Sequence, residues 1–209
     1  MNDEVDRLVV EINMLGKVAP STDDCWKNPS AVKVIDCVLS LNRNYDHFVV
    51  PRLKKFKQEH ANVVEVCDLR GFVDTFPTPF DFLADTLQYR HEARAQTLSG
   101  VIDYLLKIRE SKNGISEEEA YREWAIEKGP EDYLTVKVKG FGLAGFQYLR
   151  MLFGASTTKP DMHIRGFVRQ AINREVGDYE ALSLLESSSK QVGINLRDLD
   201  TTIWEKLAR

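Results

Sequence analysis

Apolar residues return every three or four positions along nearly the whole of this chain, a rhythm that fits α-helices and almost nothing else. Val5, Leu8, Val9 and Ile12 follow i, i+3, i+4, i+7 and define one buried stripe. Ala31, Val34, Ile35 and Val38 repeat the pattern, and Asn28-Pro29 just before them is a helix-start signal. Leu98, Val101, Ile102, Leu105 and Leu106 form the cleanest stripe. Ser116 stands three residues before Glu119, the spacing of a capping box, and Tyr121 and Trp124 supply apolar positions beyond it. Leu143, Phe146, Leu149 and Leu152 make a later stripe, followed by Leu196, Leu199, Ile203 and Leu207. Gly177 and Gly193 are expected to end helices. Only Leu134 to Lys139 alternates with period two; a short strand fits there, but one strand cannot make a sheet. Phe76-Pro77-Thr78-Pro79 reads as a rigid connection. The predicted fold class is all-α.

The chain's 209 residues suffice for one large domain or two small lobes around a substantial core. With 43% hydrophobic and 29% charged residues, wholesale disorder is excluded. A formal charge of −4 means that any nucleic-acid surface has to be a local basic face on an acidic body. No window reaches the length of a membrane span, and Met1-Asn2-Asp3-Glu4 is acidic rather than signal-like, so no membrane partner is expected. Cys25, Cys37 and Cys67 are odd in number and widely separated. Cys37 and Cys67 sit beside valines, as reduced core thiols do, which points to the cytoplasm.

The stretch from Val138 to Val168 carries the most chemistry. Gly140-Phe141-Gly142 predicts a tight turn, because glycine alone reaches positive φ without steric cost. The apolar helix that follows has first-turn N–H groups with no partner inside the helix. Those donors and the helix dipole suit a phosphate oxygen, and such a turn grips a nucleic-acid backbone without reading its sequence. A plain connection between two helices accounts for the glycines equally well. The next helix ends at Phe153-Gly154, and the loop Ala155 to Lys159 leads to Pro160-Asp161-Met162-His163-Ile164. Asp161 is expected in the first turn of a new helix, where the dipole favours an ionised carboxylate. N-glycosidic cleavage leaves positive charge on the sugar, and a fixed anion can stabilise that charge or orient the attacking water. Service at the helix end alone is the other reading of Asp161.

Gly140-Phe141-Gly142, the apolar helix, Phe153-Gly154 and Asp161-x-His163-Ile164 together resemble the helix-hairpin-helix, Gly/Pro-rich loop and aspartate motif of the base-excision DNA glycosylases related to endonuclease III. AVKVIDCVLSLN, from Ala31 to Asn42, resembles that family's early helix, and TPFDFLADTLQYRHEARAQTLSGVIDYLL its helix pair before the hairpin. The likeness spans Pro29 to Arg209. It implies a single unit over residues 1–209 made of two helical lobes, one over about 30–140 and the other over 1–29 plus 141–209. It implies Asp161 as the catalytic carboxylate and Lys139, Gly140, Phe141, Gly142, Leu143, Ala144, Gly145 and Lys159 as the DNA-backbone grip. Asn42, with Arg43 beside it, takes the place of the family's glutamine, which fills the gap left by a flipped nucleotide.

The family's bifunctional members carry a nucleophilic lysine where this chain has Ala144, so a monofunctional enzyme without lyase activity is expected. No cysteine follows Cys67, so no iron–sulfur cluster is expected and no other cofactor or metal is required. Gly140 and Gly142 are the carbonyls that the resemblance offers to a monovalent cation. The implied partner is double-stranded DNA carrying a damaged or mismatched base, bound by a monomer. A non-catalytic helix-hairpin-helix DNA binder and a helical interaction protein are the alternatives.

Further basic residues are the run Arg52 to Lys57, Lys137, Arg165 and Arg169; the run at 52–57 also reads as one solvated helix face. Trp26, Tyr45, Trp124, Tyr133 and Tyr148 are the candidate aromatic walls for a flipped base, although aromatics at helical spacing also serve as core. His163 diverges from Asp161 on a helix and reads as a packing residue.

Overall fold

In the computed structural model residues 2–18 and 24–207 are described; the expectations for Met1 and for the Cys25 thiol lie outside the described residues. Twelve α-helices occur among them and no strand. They are α1 (Asn2–Met14), α2 (Ser30–Leu39), α3 (Val50–Glu59), α4 (Val66–Val73), α5 (Pro79–Thr86), α6 (Glu92–Ser111), α7 (Glu117–Glu127), α8 (Tyr133–Val136), α9 (Leu143–Leu152), α10 (Met162–Ile172), α11 (Asp178–Val192) and α12 (Leu196–Leu207). No described helix is long and apolar enough to cross a membrane.

Local chemistry sets most boundaries. Pro29 stands at the N-cap of α2. Ser116 and Glu119 exchange both hydrogen bonds of a capping box at α7, with the Ser116 amide donating to Glu119 at 3.0 Å. Thr78 caps α5, whose first residue is Pro79. The alternating segment at 134–139 is not a strand. Tyr133 to Val136 form the single helical turn α8, and Lys137 leaves it in the left-handed region at φ 52°. With no second strand to pair against, the backbone groups there bond locally instead. Gly193 ends α11 with φ 69°, as expected, but Gly177 starts that helix as its N-cap, and Asn173 at φ 58° ends α10.

Two hydrophobic clusters divide the helices. The larger is built around α2, all ten of whose residues are buried, with α6, α9 and α4 packed against it. Burying a leucine, isoleucine or phenylalanine side chain contributes roughly 1.5–3 kcal/mol. Ile35, Leu39, Phe82, Leu83, Ile102 and Phe146 are all fully enclosed here. The smaller cluster joins Leu8 and Ile12 of α1 to Ile164 and Val168 of α10, Leu185 of α11 and Leu199 and Ile203 of α12. The chain therefore starts and finishes in the same cluster. Phe146, Leu149 and Leu152 of α9 belong to the larger cluster, which extends to Ala155, so the passage between clusters falls in the loop before Asp161 rather than at 140–141.

Gly145 explains how α9 comes so close to the end of α2. A Cβ on it would lie 2.9 Å from both Leu41 Cδ2 and Phe141 Cε2. The Cys37 thiol donates to the Gly145 carbonyl at 3.3 Å across the same contact, and burial pushes that thiol's pKa far up. Cys37 is therefore a core group, as its valine neighbour suggested. Cys67 is exposed instead, beside Glu65.

Candidate functional site

Where the two clusters meet, a cleft of about 680 Å³ opens between the segment after α2, the inner face of α9, the start of α10 and α12. Its size lies within the range of small-ligand sites.

The first wall follows the end of α2. Asn42 is exposed and adopts φ 57°, a conformation that asparagine tolerates better than most residues. Arg43 donates from Nε to the Tyr89 hydroxyl at 3.2 Å, and its guanidinium lies 5.4 Å from the Tyr89 ring centre. Tyr45 and Tyr148 line the cleft, and both hydroxyls donate to Asp36, Tyr45 to Oδ2 at 2.9 Å and Tyr148 to Oδ1 at 3.1 Å. Asp36 is fully buried, so one carboxylate holds the two aromatic rings in place. The Arg94 guanidinium donates to the Leu41 carbonyl at 3.1 Å, and Arg52 donates to the Gln88 carbonyl at 3.2 Å. Exposed Gln88 shares the left-handed conformation of Asn42, at φ 51°.

The second wall begins with Asp161. It is the N-cap of α10 rather than a first-turn residue, and its Oδ1 accepts from the His163 amide at 2.9 Å and the Ile164 amide at 3.2 Å. The cap fixes the carboxylate at the cleft while the positive end of the helix faces it. Asp200, on α12, lines the same space. Its Oδ1 accepts from the Thr158 hydroxyl, and from the Lys159 amide at 2.9 Å. Burial of this carboxyl pushes its pKa up to about 7; the nearby Asp161 charge acts in the same direction, against the Thr158 and Lys159 hydrogen bonds. The cleft thus holds a carboxyl group shifted toward its neutral form beside a second carboxyl group. Trp204 closes this side, with its ring edge-on to Tyr45 at 6.0 Å.

Of the eleven residues to which the resemblance gave a catalytic, backbone-binding or gap-filling role, five line this one cleft: Asn42, Arg43, Ala144, Lys159 and Asp161. The turn itself lies outside it. Gly140 adopts φ 77°, and a Cβ there would stand 2.9 Å from Thr97 Oγ1, whose hydroxyl reaches the Lys139 carbonyl at 2.9 Å. Lys139, Gly140 and Gly142 are exposed, whereas Phe141, Leu143 and Gly145 are buried packing residues. The Gly142 carbonyl accepts from the Phe146 amide at 3.0 Å. Lys159 lies back over the Tyr148 ring, its Nζ 4.5 Å from the ring centre. Arg165 forms an ion pair with Asp178 at 3.2 Å on the cleft margin, and Arg169 pairs with Glu175.

Of the candidate aromatic walls, Trp26, Tyr45 and Tyr148 line the cleft, while Trp124 is enclosed in the larger cluster and Tyr133 packs against it. Sequence reasoning missed Asp200 and Trp204; Asp200 stands four residues after Leu196 and three before Ile203, on the flank of the apolar stripe, and Trp204 follows one turn on. It also passed over Asp36, whose charge inside an otherwise apolar stripe was the one available signal.

The chain belongs to the family described as a domain of unknown function, DUF8548, whose model matches residues 7–208. No curated protein and no solved structure matches the chain.

Proposed function

We propose that this protein is a monofunctional DNA N-glycosylase, which hydrolyses the bond between a damaged or mismatched base and its sugar. The observation that carries this reading is convergence. A capped carboxylate, an exposed amide in a strained loop, and aromatic walls fixed by a buried aspartate all meet in one cleft at the end of the hairpin helix.

A base inside a duplex is out of reach, so the target nucleotide has to leave the stack. The exposed turn glycines Gly140 and Gly142 before α9, with Lys139 beside them, suit the phosphates of the damaged strand. Asn42, supported by Arg43, enters the gap. The flipped base lies between Tyr45, Tyr148 and Trp204, an arrangement suited to a flat heteroaromatic ring. As the N-glycosidic bond stretches, positive charge grows on the sugar and the Asp161 carboxylate stabilises it. Water then adds to the sugar carbon and yields an abasic site. Ala144 offers no amine, so no Schiff base forms and the strand stays intact.

A second reading has one observation in its favour: Asp161 Oδ1 is already occupied by two helix amides. On that reading the aspartate only caps α10, and the protein binds DNA without chemistry. The two readings separate on base release from a panel of duplexes, each carrying one damaged or mismatched base, with alkali used to reveal abasic sites. The enzyme reading expects release from at least one duplex and no strand breaks without alkali. Tight binding to an abasic-site analogue with no release from any duplex supports the non-catalytic binder.

A further inference from the structure

We propose that Asp200 is the second catalytic carboxyl of this cleft, the group that protonates the departing base while Asp161 faces the sugar; this rests on the glycosylase reading. Three observations place it there. Asp200 lines the cleft from α12, the same space that Tyr45 and Tyr148 line. Both of its hydrogen bonds, from the Thr158 hydroxyl and the Lys159 amide, fall on Oδ1. That pair of donors fixes the side chain and leaves Oδ2 as the oxygen able to carry and give up a proton. Asp161 lines the same cleft, and its charge raises the Asp200 pKa, which favours one neutral and one ionised member.

The environment agrees. Burial holds the Asp200 carboxyl near neutrality, at about 7. The charged and titratable groups lining the same space are Lys159, His163 and Arg165 from the α10 side, Asp178 from α11, and Arg43 and Asp46 from the segment after α2. Lys159 acts to lower the value and Asp161 to raise it, with burial outweighing both.

The step balances without any added reagent. The N-glycosidic bond breaks and its electron pair leaves with the base, whose ring nitrogen takes the Asp200 proton. Water supplies hydroxide to the sugar carbon, and its remaining proton passes by way of Asp161 and solvent to the Asp200 carboxylate. One water is consumed, and both carboxyl groups end as they began. Neutral bases need such an acid; a base that already carries positive charge leaves without one.

The test compares single-turnover release of a neutral base and of N7-methylguanine, a cationic base, by wild type, Asp200→Asn, Asp200→Glu and Asp161→Asn across pH 5 to 9. Asparagine keeps the oxygen that accepts from Thr158 and Lys159, so the tether survives, and thermal melts verify it. The proposal expects Asp200→Asn to slow the neutral base by about 100-fold and the cationic base by less than about threefold. The wild-type rate on the neutral base should fall above neutral pH, that fall should vanish in Asp200→Asn, and glutamate should restore part of the rate. Asp161→Asn should slow both bases. Equal slowing of both bases by Asp200→Asn, or none, would overturn the proposal and leave the glycosylase reading standing. Release of only the cationic base by wild type would do the same. No release by wild type of N7-methylguanine or of any base in the duplex panel would overturn both readings.

Discussion

The cleft wall that follows α2 presents an exposed asparagine, an arginine stacked near a tyrosine, and two tyrosines tied to a buried carboxylate. The facing wall, from the start of α10 and from α12, presents two aspartates held by backbone and hydroxyl donors. The first wall grows from the larger hydrophobic cluster and the second from the smaller one. On the proposed reading two of the three rings that hold a displaced base, Tyr45 and Tyr148, belong to the larger core, whereas the groups that move charge, together with the third ring Trp204, belong to the smaller one. In this account most of the recognition surface and the chemistry are mounted on separate cores, and the loop between Ala155 and Asp161 sets their spacing.

Asp161→Asn breaks the comparison hardest. Asparagine caps a helix about as well as aspartate, so the melting temperature should stay within about 2 °C of wild type. Base release should fall by about 1,000-fold or more, because the fixed negative charge is gone. Single-turnover kinetics and a thermal melt on the same preparation check both halves.

Asp36→Ala attacks the first wall from behind. It leaves the Tyr45 and Tyr148 hydroxyls without their carboxylate in a buried setting. The expected loss is about 3 kcal/mol, read as a melting temperature lower by roughly 6–12 °C. Asp36→Asn should lose less, since one oxygen still accepts. Equal stability of Asp36→Ala and wild type would show that the tyrosines do not depend on this anchor.

A subtler change is Asn42→Gly. Glycine adopts the positive φ of this position without strain, so the fold is preserved and only the amide is lost. Affinity for a duplex with an abasic-site analogue should fall about tenfold, the scale of one good polar contact. Titration by fluorescence anisotropy at fixed salt measures it.

The last expected effect concerns pH. The folded pKa of Asp200 lies at about 7, above its ordinary value of 3.8. Such a group contributes its full stability below the lower value, and that contribution is lost as pH rises through the upper one. Asp200→Asn, which cannot ionise, should therefore gain on wild type between pH 4 and pH 8, by roughly 8–16 °C in melting temperature. A constant difference across that range would show that the carboxyl is not perturbed by the fold.

Much of this architecture is legible in the residues, for identifiable reasons. Helical periodicity survives folding because each stripe meets a core, as Leu8 and Ile12 or Leu199 and Ile203 do. The helix start at Asp161 is legible because proline and a capping-type residue cluster there, although the aspartate is the N-cap itself and not the first-turn residue expected. Asp200 was hidden because a single aspartate at the flank of an apolar stripe reads as the edge of the solvent face; only the packing of α12 against α10 turns that edge into a cleft wall. The alternation at 134–139 misled because a period-two pattern specifies a strand only when a partner strand exists. Gly177 misled because glycine serves at either end of a helix, and the left-handed position that ends α10 went to Asn173 instead.

The division of labour between the walls is tested most directly by measuring abasic-site binding and base release on Asn42→Gly and Asp161→Asn side by side. The account predicts opposite outcomes: Asp161→Asn binds like wild type and releases almost nothing, whereas Asn42→Gly binds more weakly and still releases base at saturating protein. Parallel loss of binding and release in both variants, or full release by Asp161→Asn, would contradict it.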